Sequence, residues 1–260
     1  ADLLMARMIQ RLLNETKGQL VSFNGGTKDN AIPRECEASL IYESDEEAAK
    51  AEELACELAE TYAEELTPAE PDFSCEISCE TNRTAEAIPQ DAAKEFICAM
   101  RLAPNGIQKR NIKMDGFVVV SLNLGVARTE EDRIVMIFSP RSSVASLQED
   151  TKERLNTLAE TFGFTVSHSS EYPGWSFKED SPVREICKES YKELFGEDLK
   201  IEAIHAGLEC GLFSDAIKGL DAIAIGPTIA NCHTPDEYLT LDSFERFYEF
   251  LKDILSRLAK

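Results

Sequence analysis

One histidine stands where a ligand site is expected. His233 lies in the stretch GPTIANCHTPDE, after an apolar run typical of a strand, and Asp236 and Glu237 precede the next helical pattern. Open α/β sheets bind ligands beyond the carboxyl ends of their strands, and imidazole is a common metal ligand. His233 is therefore a candidate metal ligand. A loop histidine bonded to nearby backbone fits the same residues, with the two acids only stabilising the start of the next helix.

A second candidate site is the stretch IHAGLECGLF, at another predicted junction between a strand and a helix. Gly207 and Gly211 would let a ligand approach the backbone amides of a helix N-terminus, and Glu209 could bind an amine. A tight turn, in which Glu209 only favours the first helical turn, is also consistent with these residues. The spacing leaves both interpretations open.

The histidines do not complete a metal centre by themselves. A hydrolytic zinc site needs about three protein ligands, and a carboxylate that accepts a proton from water. The chain has three histidines, and His168 and His205 are not spaced with His233 as a local binding motif. From the residues alone, the set of ligands stays incomplete.

Eight cysteines, at positions 36, 56, 75, 79, 98, 187, 210 and 232, suggest two other kinds of site. Cys210 and Cys232 flank the same predicted sheet edge, where a histidine could activate either thiol as a nucleophile. The cysteines at 36, 75, 79 and 98 would be a possible zinc set, but their spacing lacks the tight knuckle of such sites. Several cysteines fall in apolar patterns, so reduced thiols in a cytoplasmic protein fit best.

The elements that would position these residues fall into two regions. Residues 1–171 begin with an amphipathic helix and continue with two runs of strand, strand, helix and strand, which predict an antiparallel sheet with helices on one face. The strands are predicted at QLVSF, ECEASLIY, PDFSCEISCE, FVVVSLNLGVA, RIVMIF and FTVSHS. This region is therefore predicted to be an α+β two-layer domain.

Residues 172–260 follow a polar stretch rich in turn-forming residues, SSEYPGWSFKEDSP, and have the order α, β, α, β, α. Ser181 and Pro182 are predicted to begin a helix, and Gly196 to end it. The run DAIAIG is typical of a strand covered on both faces, and LKIEAIH of an edge strand. This region predicts part of a parallel sheet, which gives the chain an α/β fold class overall. A parallel sheet needs more than these two strands.

Composition limits the possible partners. The net charge is -21, from 48 acidic and 27 basic residues, and such a chain repels the phosphate backbone of nucleic acids. The longest apolar runs have the length of strands and are too short to cross a bilayer. We therefore expect a protein that binds neither nucleic acid nor membrane.

Four motifs together carry a family resemblance: FNGGTKDNAIPRE, SPRSS, HAGLECGLF and GLDAIAIGPTIANCHTPDEYLTLDSFERFYEFL. They resemble the aminoacyl-histidine dipeptidases, in the superfamily of zinc amino- and carboxypeptidases that includes carnosinases. The resemblance implies a cytoplasmic enzyme whose catalytic α/β domain holds two zinc ions. It also implies a lid domain, residues 1–171 here, that closes over a dipeptide and commonly forms a homodimer.

The same resemblance assigns roles to individual residues. His233 matches the last zinc ligand of the family. Asn30 and Arg141 match lid positions that hold substrate, a role that suits the guanidinium of Arg141 as a carboxylate ligand. Glu209 and the neighbouring Gly207 match a substrate-side loop of the catalytic domain, whose last part would be residues 172–260.

The remaining zinc ligands and the general base of the family match nothing in this chain and are expected upstream of it. The resemblance therefore predicts an inactive C-terminal fragment of a zinc dipeptidase that prefers a C-terminal histidine. Two alternatives remain: a noncatalytic module for dimerisation or binding, and a thiol enzyme that uses Cys210 or Cys232.

Overall fold

A computed structural model describes residues 1–81, 84–111, 117–169, 173–175, 177–202, 209–232 and 236–259. The chain divides into two compact units. Unit 1 contains residues 1–110, 120–140 and 146–168, and unit 2 contains residues 111–119, 141–145 and 169–260. The two short segments of unit 2 that come from the first part of the chain were not expected from the sequence.

Unit 1 is a layer of helices against an antiparallel sheet. Its sheet has the order β2, β1, β4, β3, and β5 pairs with β4. The strands are β1 (Gln19–Gly25), β2 (Cys36–Ile41), β3 (Gly106–Arg110), β4 (Val118–Thr129) and β5 (Ile134–Ser142), and the helices are α1 (Asp2–Glu15), α2 (Asp45–Leu66), α3 (Gln90–Leu102) and α4 (Ala145–Thr161). The predicted mixed α/β class, with an antiparallel sheet and helices, is confirmed.

The helices of unit 1 form where the sequence pattern is strongest. Ser44 caps α2, because its side chain accepts a hydrogen bond from the backbone N–H of Glu47, as the predicted capping box requires. The apolar stripes of α1, α2 and α3 share one core with β1, in which Phe23 and Phe96 meet edge to face with ring centroids 5.4 Å apart. Burial of these stripes supplies most of the stability of such helices.

Two strands predicted in unit 1 are not formed, and one strand was missed. Residues 71–80 alternate as predicted, and Phe73, Cys75 and Ile77 pack against the core, yet the segment has no strand assignment. Residues 164–169 also have no strand assignment, and they are mostly exposed. Alternation reports that one face is buried, whereas a strand also needs a neighbour for its backbone hydrogen bonds. The missed strand, β3, ends the sheet path and is mostly exposed, so its sequence has no apolar face to detect.

Unit 2 is built around two helices, α5 (Pro182–Phe195) and α7 (Leu241–Leu258), with the shorter α6 (Glu209–Ala216) and the strands β6 (Ile229–Ala230) and β7 (Tyr238–Leu239). Its small core contains Cys187, Phe250 and Ile254. The predicted cap of α5 is confirmed, because the Ser181 side chain accepts from the N–H of Arg184. Gly196 ends the helix at φ 71°.

The strands predicted at LKIEAIH and DAIAIG are not seen in the described part of unit 2, where residues 199–202 and 221–226 carry no strand assignment. The strand pairing described in this unit is the antiparallel pair of β6 and β7. Asp221 instead holds the second segment against α5, since its Oδ2 accepts from the N–H of Val183 at 2.9 Å. Residues 221–223 are half-buried and residues 224–226 are exposed, so the run is not covered on both faces here, and the parallel sheet stays a prediction.

Candidate functional site

The loop that carries Asn30 joins β1 to β2 in unit 1 and is held by β4. The side-chain amide of Asn123 donates to the backbone carbonyls of Asp29 and Ala31, at 2.9 and 2.8 Å. A further bond runs from the N–H of Ala31 to the carbonyl of Lys28, at 3.3 Å. Asn30 itself is exposed. The loop therefore presents the Asn30 amide outward on a backbone that is fixed on both sides.

A buried carboxylate lies beneath the start of this loop. Asp2 is 2% exposed and lies against Gly25 and Cys36, two residues that face each other across β1 and β2. Burial raises the pKa of Asp2 to about 6, although the N-terminal ammonium and the Cys36 thiol each lower it. Burial also raises the pKa of the Cys36 thiol, and the charge of Asp2 adds to that increase. Cys36 is thus a protonated structural thiol.

Arg141 lies near the end of β5, in a part of the chain that belongs to unit 2. It is half-buried. Within the described residues its guanidinium makes no hydrogen bond or ion pair. The backbone that follows is tied down, because the Ser142 hydroxyl bonds both the N–H and the carbonyl of Val144, each at 3.0 Å. Ser143 donates its N–H to the carbonyl of Val119 at 3.3 Å. An unpaired guanidinium on fixed backbone is suited to bind an anion.

Glu209 is the first residue of α6 and is exposed. Its position favours a negative charge, because the helix dipole is positive at this end. In the part of the chain that is described, its carboxylate has no cationic or hydrogen-bonding partner. The thiol of the next residue, Cys210, lies 3.9 Å from the carbonyl of Ile223. The predicted neighbours Gly207 and His205 lie outside the described residues.

The segments that carry Arg141 and Glu209 are packed against a common third segment, residues 173–175. A Cβ atom built on Gly174 would lie 2.6 Å from the carbonyl oxygen of Ser142. A Cβ atom built on Gly211 would lie 2.6 Å from the carbonyl oxygen of Pro173. We call residues 141–143, 173–175 and 209–211 the backbone stack. All of them belong to unit 2.

The backbone stack limits how far apart its outer segments are. The path from the Ser142 oxygen to Gly211 Cα has five parts: the two contacts of 2.6 Å with the built Cβ atoms, the two Cα–Cβ bonds, and the peptide unit between Pro173 and Gly174. These atoms are therefore at most roughly 11 Å apart. Arg141 and Glu209 belong to the two segments that this distance joins.

His233 lies between β6 and β7 in the sequence, and residues 233–235 lie outside the described part of the chain. The two strands pair antiparallel, with Ala230 opposite Tyr238. Asn231, at φ 54°, donates its side-chain amide to the carbonyl of Asp236 at 3.3 Å. The described residues on either side of His233 are thus linked by strand pairing and by one side-chain hydrogen bond.

No group of three or more His, Cys, Asp or Glu side chains is placed to hold a metal ion among the described residues. His168 is bonded through its Nε2 to the Asn156 side chain, at 3.0 Å, in unit 1. The cysteines at 36, 75, 79 and 98 form no such group either. The described residues therefore do not fit a complete zinc site.

A separate groove of about 520 Å³ lies in unit 1, between the end of α3 and α4. It is lined by apolar Leu102 and Phe162 and by charged Glu153 and Arg154. None of the residues predicted to bind substrate or metal lines it. We therefore do not assign the candidate site to this groove.

Comparison with known proteins identifies the family. The model of peptidase family M20/M25/M40 matches residues 26–257, nearly the whole chain. The chain belongs to this peptidase family. The match includes Asn30, Arg141, Glu209 and His233, and it confirms the family predicted from the sequence motifs.

Two of the proteins that this chain is similar to are dipeptidases. The chain is 31% identical to the cytosol non-specific dipeptidase of Escherichia coli (strain K12) over 99% of its own length and 53% of the relative. It is 32% identical to the crystal structure of aminoacylhistidine dipeptidase from Vibrio alginolyticus, with a TM-score of 0.84. That match covers 99% of this chain and 52% of the other. The chain thus spans about half the length of both relatives.

A third likeness concerns the fold alone. The aminopeptidase PepT from Bacillus cereus ATCC 10987 is 19% identical to this chain, with a TM-score of 0.51 over 65% of this chain and 46% of the other. None of the helices in the described ranges is both long and apolar enough to cross a membrane.

Sequence reasoning missed the residues that support the candidate site. Asn123 gave a weak signal, since a polar residue interrupts an otherwise apolar strand pattern, LNLGV. Gly174 and Pro173 were assigned only to a boundary loop. Their contact with Ser142 and Gly211 depends on segments more than thirty residues apart, so no local pattern predicts it.

Proposed function

We propose that the chain is part of a metal-dependent dipeptidase and supplies the site that binds the two charged ends of an unblocked dipeptide. The observation that carries the proposal is the backbone stack, which brings together the segments of Arg141 and Glu209, two charged residues without a partner among the residues that the structure describes. The guanidinium of Arg141 would bind the α-carboxylate of the dipeptide in a bidentate manner. The carboxylate of Glu209 would bind its ammonium group.

The substrate class is inferred from the charges and from the names of the relatives. One relative is called a non-specific dipeptidase and the other an aminoacylhistidine dipeptidase. We propose dipeptides as the substrates, with a preference for a C-terminal histidine. The name of the first relative also supports a cytoplasmic location.

The metal of this proposed enzyme is zinc, with His233 as one ligand. The motifs of this chain match one zinc ligand of the family, His233, and in this proposal the other ligands and the general base come from polypeptide outside these 260 residues. We therefore expect residues 1–260 alone to be inactive.

Exposed apolar side chains in unit 2 support the proposal that further polypeptide completes the catalytic domain. Large apolar side chains on α6, β6, β7 and α7, and one directly after α6, are exposed: Leu212, Phe213, Ile217, Ile229, Tyr238, Leu239, Leu241, Phe244, Tyr248, Leu255 and Leu258. A soluble protein rarely exposes so many large apolar groups unless another surface covers them. In this proposal residues 172–260 are the last part of a catalytic domain, and residues 1–171 are its lid.

A turnover assay tests the proposal of an incomplete catalyst. Residues 1–260 are purified and incubated with zinc and an unblocked β-alanyl-histidine dipeptide, with His233→Ala as the matched control. We expect no turnover above the control. Zinc-dependent hydrolysis that is lost in His233→Ala would show that the chain completes its own metal site and would refute the fragment proposal.

A second candidate function is a noncatalytic dimerisation module. The observation that favours it is β3, a largely exposed strand at the end of the sheet path, because such an edge can pair with a second copy. In the dipeptidase proposal the same edge would serve the lid of a homodimer. Sedimentation at high protein concentration tests this role, and a strictly monomeric species would count against it.

A further inference from the structure

Two glycines of the backbone stack lie where any side chain would collide with backbone. The Cβ of an alanine at 174 would lie 2.6 Å from the Ser142 oxygen and 2.9 Å from the Ser143 carbonyl carbon. The Cβ of an alanine at 211 would lie 2.6 Å from the Pro173 oxygen. Ordinary contacts with a Cβ begin at 3.4 Å, so each substitution needs a displacement of roughly 0.8 Å.

Neither neighbour moves freely. The Ser142 backbone is bracketed by the hydroxyl bonds between Ser142 and Val144 and by the bond from Ser143 to Val119. Pro173 has a fixed φ, so its carbonyl can turn only by rotation about ψ. A collision would therefore move one backbone segment away from the other rather than rotate a flexible side chain.

We infer that Gly174 and Gly211 are positioning residues that set the distance between the segments bearing Arg141 and Glu209, and with it the fit of an unblocked dipeptide. This inference rests on the proposed function for its ligand. The spacing itself rests only on the contacts of the backbone stack.

The chain offers a matched control. Gly226 lies in the same unit, and a Cβ built on it meets nothing within 4 Å. Its backbone is also free of the positive φ that strains an alanine. Alanine at 226 therefore tests the loss of a glycine without the collision.

The test uses residues 1–260 with Gly174→Ala, Gly211→Ala and Gly226→Ala. The affinity for β-alanyl-histidine and for its C-terminally amidated form is measured by calorimetry. Amide hydrogen exchange is followed at residues 142–144. We expect both stack variants to bind the unblocked dipeptide of the order of tenfold more weakly. The amidated form, which lacks the carboxylate, should change little, and exchange at 142–144 should rise.

The outcomes separate the inference from the proposed function. Unchanged amide exchange at residues 142–144 in a folded stack variant would overturn the inference that the two glycines set this distance. An equal loss of affinity for both ligands would also overturn it. If the wild-type chain binds neither ligand but exchange rises only in the stack variants, the spacing stands and the proposed function fails. If Gly174→Ala does not fold, Gly211→Ala alone tests the inference. Residue 211 lies in α6, where alanine has a higher helix propensity than glycine, so this variant is expected to fold.

Discussion

Asn123 binds the backbone on both sides of Asn30. One side-chain amide on β4 satisfies the carbonyls of Asp29 and Ala31, so an exposed loop is held by a strand nearly a hundred residues away in the sequence. The Asn30 amide thus points outward from a loop whose backbone is already ordered. Pre-ordering of this kind lowers the entropic cost of binding a ligand.

The first prediction concerns this clamp. Asn123→Ala removes both hydrogen bonds, and we expect the free energy of unfolding to fall by about 1–2 kcal/mol. Amide exchange at residues 29–32 should rise more than elsewhere. Asn123→Asp has nearly the same size but only accepts hydrogen bonds when ionised, so it should behave like the alanine variant. Retained protection of the loop in Asn123→Asp would contradict the clamp.

The second prediction concerns the buried carboxylate of Asp2. Its pKa is raised to about 6 by burial, above its value in an unfolded chain, so the folded state favours the protonated form. The stability of the protein should therefore decrease as the pH rises from about 4 to 6, and the full cost remains at pH 7. Asp2→Asn should remove this decrease and stabilise the protein at pH 7 by on the order of 1–3 kcal/mol.

Chemical denaturation at a series of pH values measures this effect. Glu64→Gln removes a carboxylate from the exposed face of α2 and serves as the control, with no comparable gain expected. An Asp2→Asn variant that followed the wild-type pH dependence between 4 and 6 would disprove the role of Asp2.

The third prediction concerns the polar link between α5 and α7. The hydroxyl of Ser190, which is fully buried, donates to Asp253 at 2.6 Å, and Arg257 donates to the same carboxylate oxygen. Ser190→Ala should lower the free energy of unfolding by about 1–3 kcal/mol, as expected for a lost bond to a charged group. Ser256→Ala, at an exposed position of α7, should have a much smaller effect, and equal effects would count against the link.

The fourth prediction concerns recognition of the substrate carboxylate. Arg141→Ala should weaken the binding of an unblocked dipeptide by roughly 2 kcal/mol, because a charge-assisted bidentate contact is lost. The amidated dipeptide should bind both proteins equally. Arg141→Lys keeps the charge but loses the planar fork, so an intermediate affinity is expected. Calorimetry with both ligands measures this, and an equal loss for the amidated form would exclude a carboxylate contact.

The fifth prediction tests the thiol alternative. Cys56, Cys79 and Cys232 are exposed, whereas Cys187 is buried and burial raises its pKa. Iodoacetamide at neutral pH should label the three exposed thiols at similar rates and leave Cys187 unmodified until the protein unfolds. Mass spectrometry of digested samples follows each site. A thiol enzyme instead requires Cys210 or Cys232 to react much faster than Cys56 and Cys79, which serve as internal references.

The sequence by itself determined the helices of this protein and the family to which it belongs. The caps at Ser44 and Ser181, the stop at Gly196 and the apolar stripes of α1 to α3 depend on residues within one or two turns, so local physics specifies them. The residue types of the candidate site, a guanidinium at 141 and a carboxylate at 209, were also visible in the sequence.

Only the tertiary structure decided which extended segments became strands and how the site residues are held. Residues 71–80 alternate as regularly as a strand but have no strand assignment, whereas the polar β3 is part of the sheet. The clamp of Asn123 and the backbone stack join segments that are distant in the chain. Backbone pairing and close approach depend on what another segment offers at that point in space, and no local pattern contains that information.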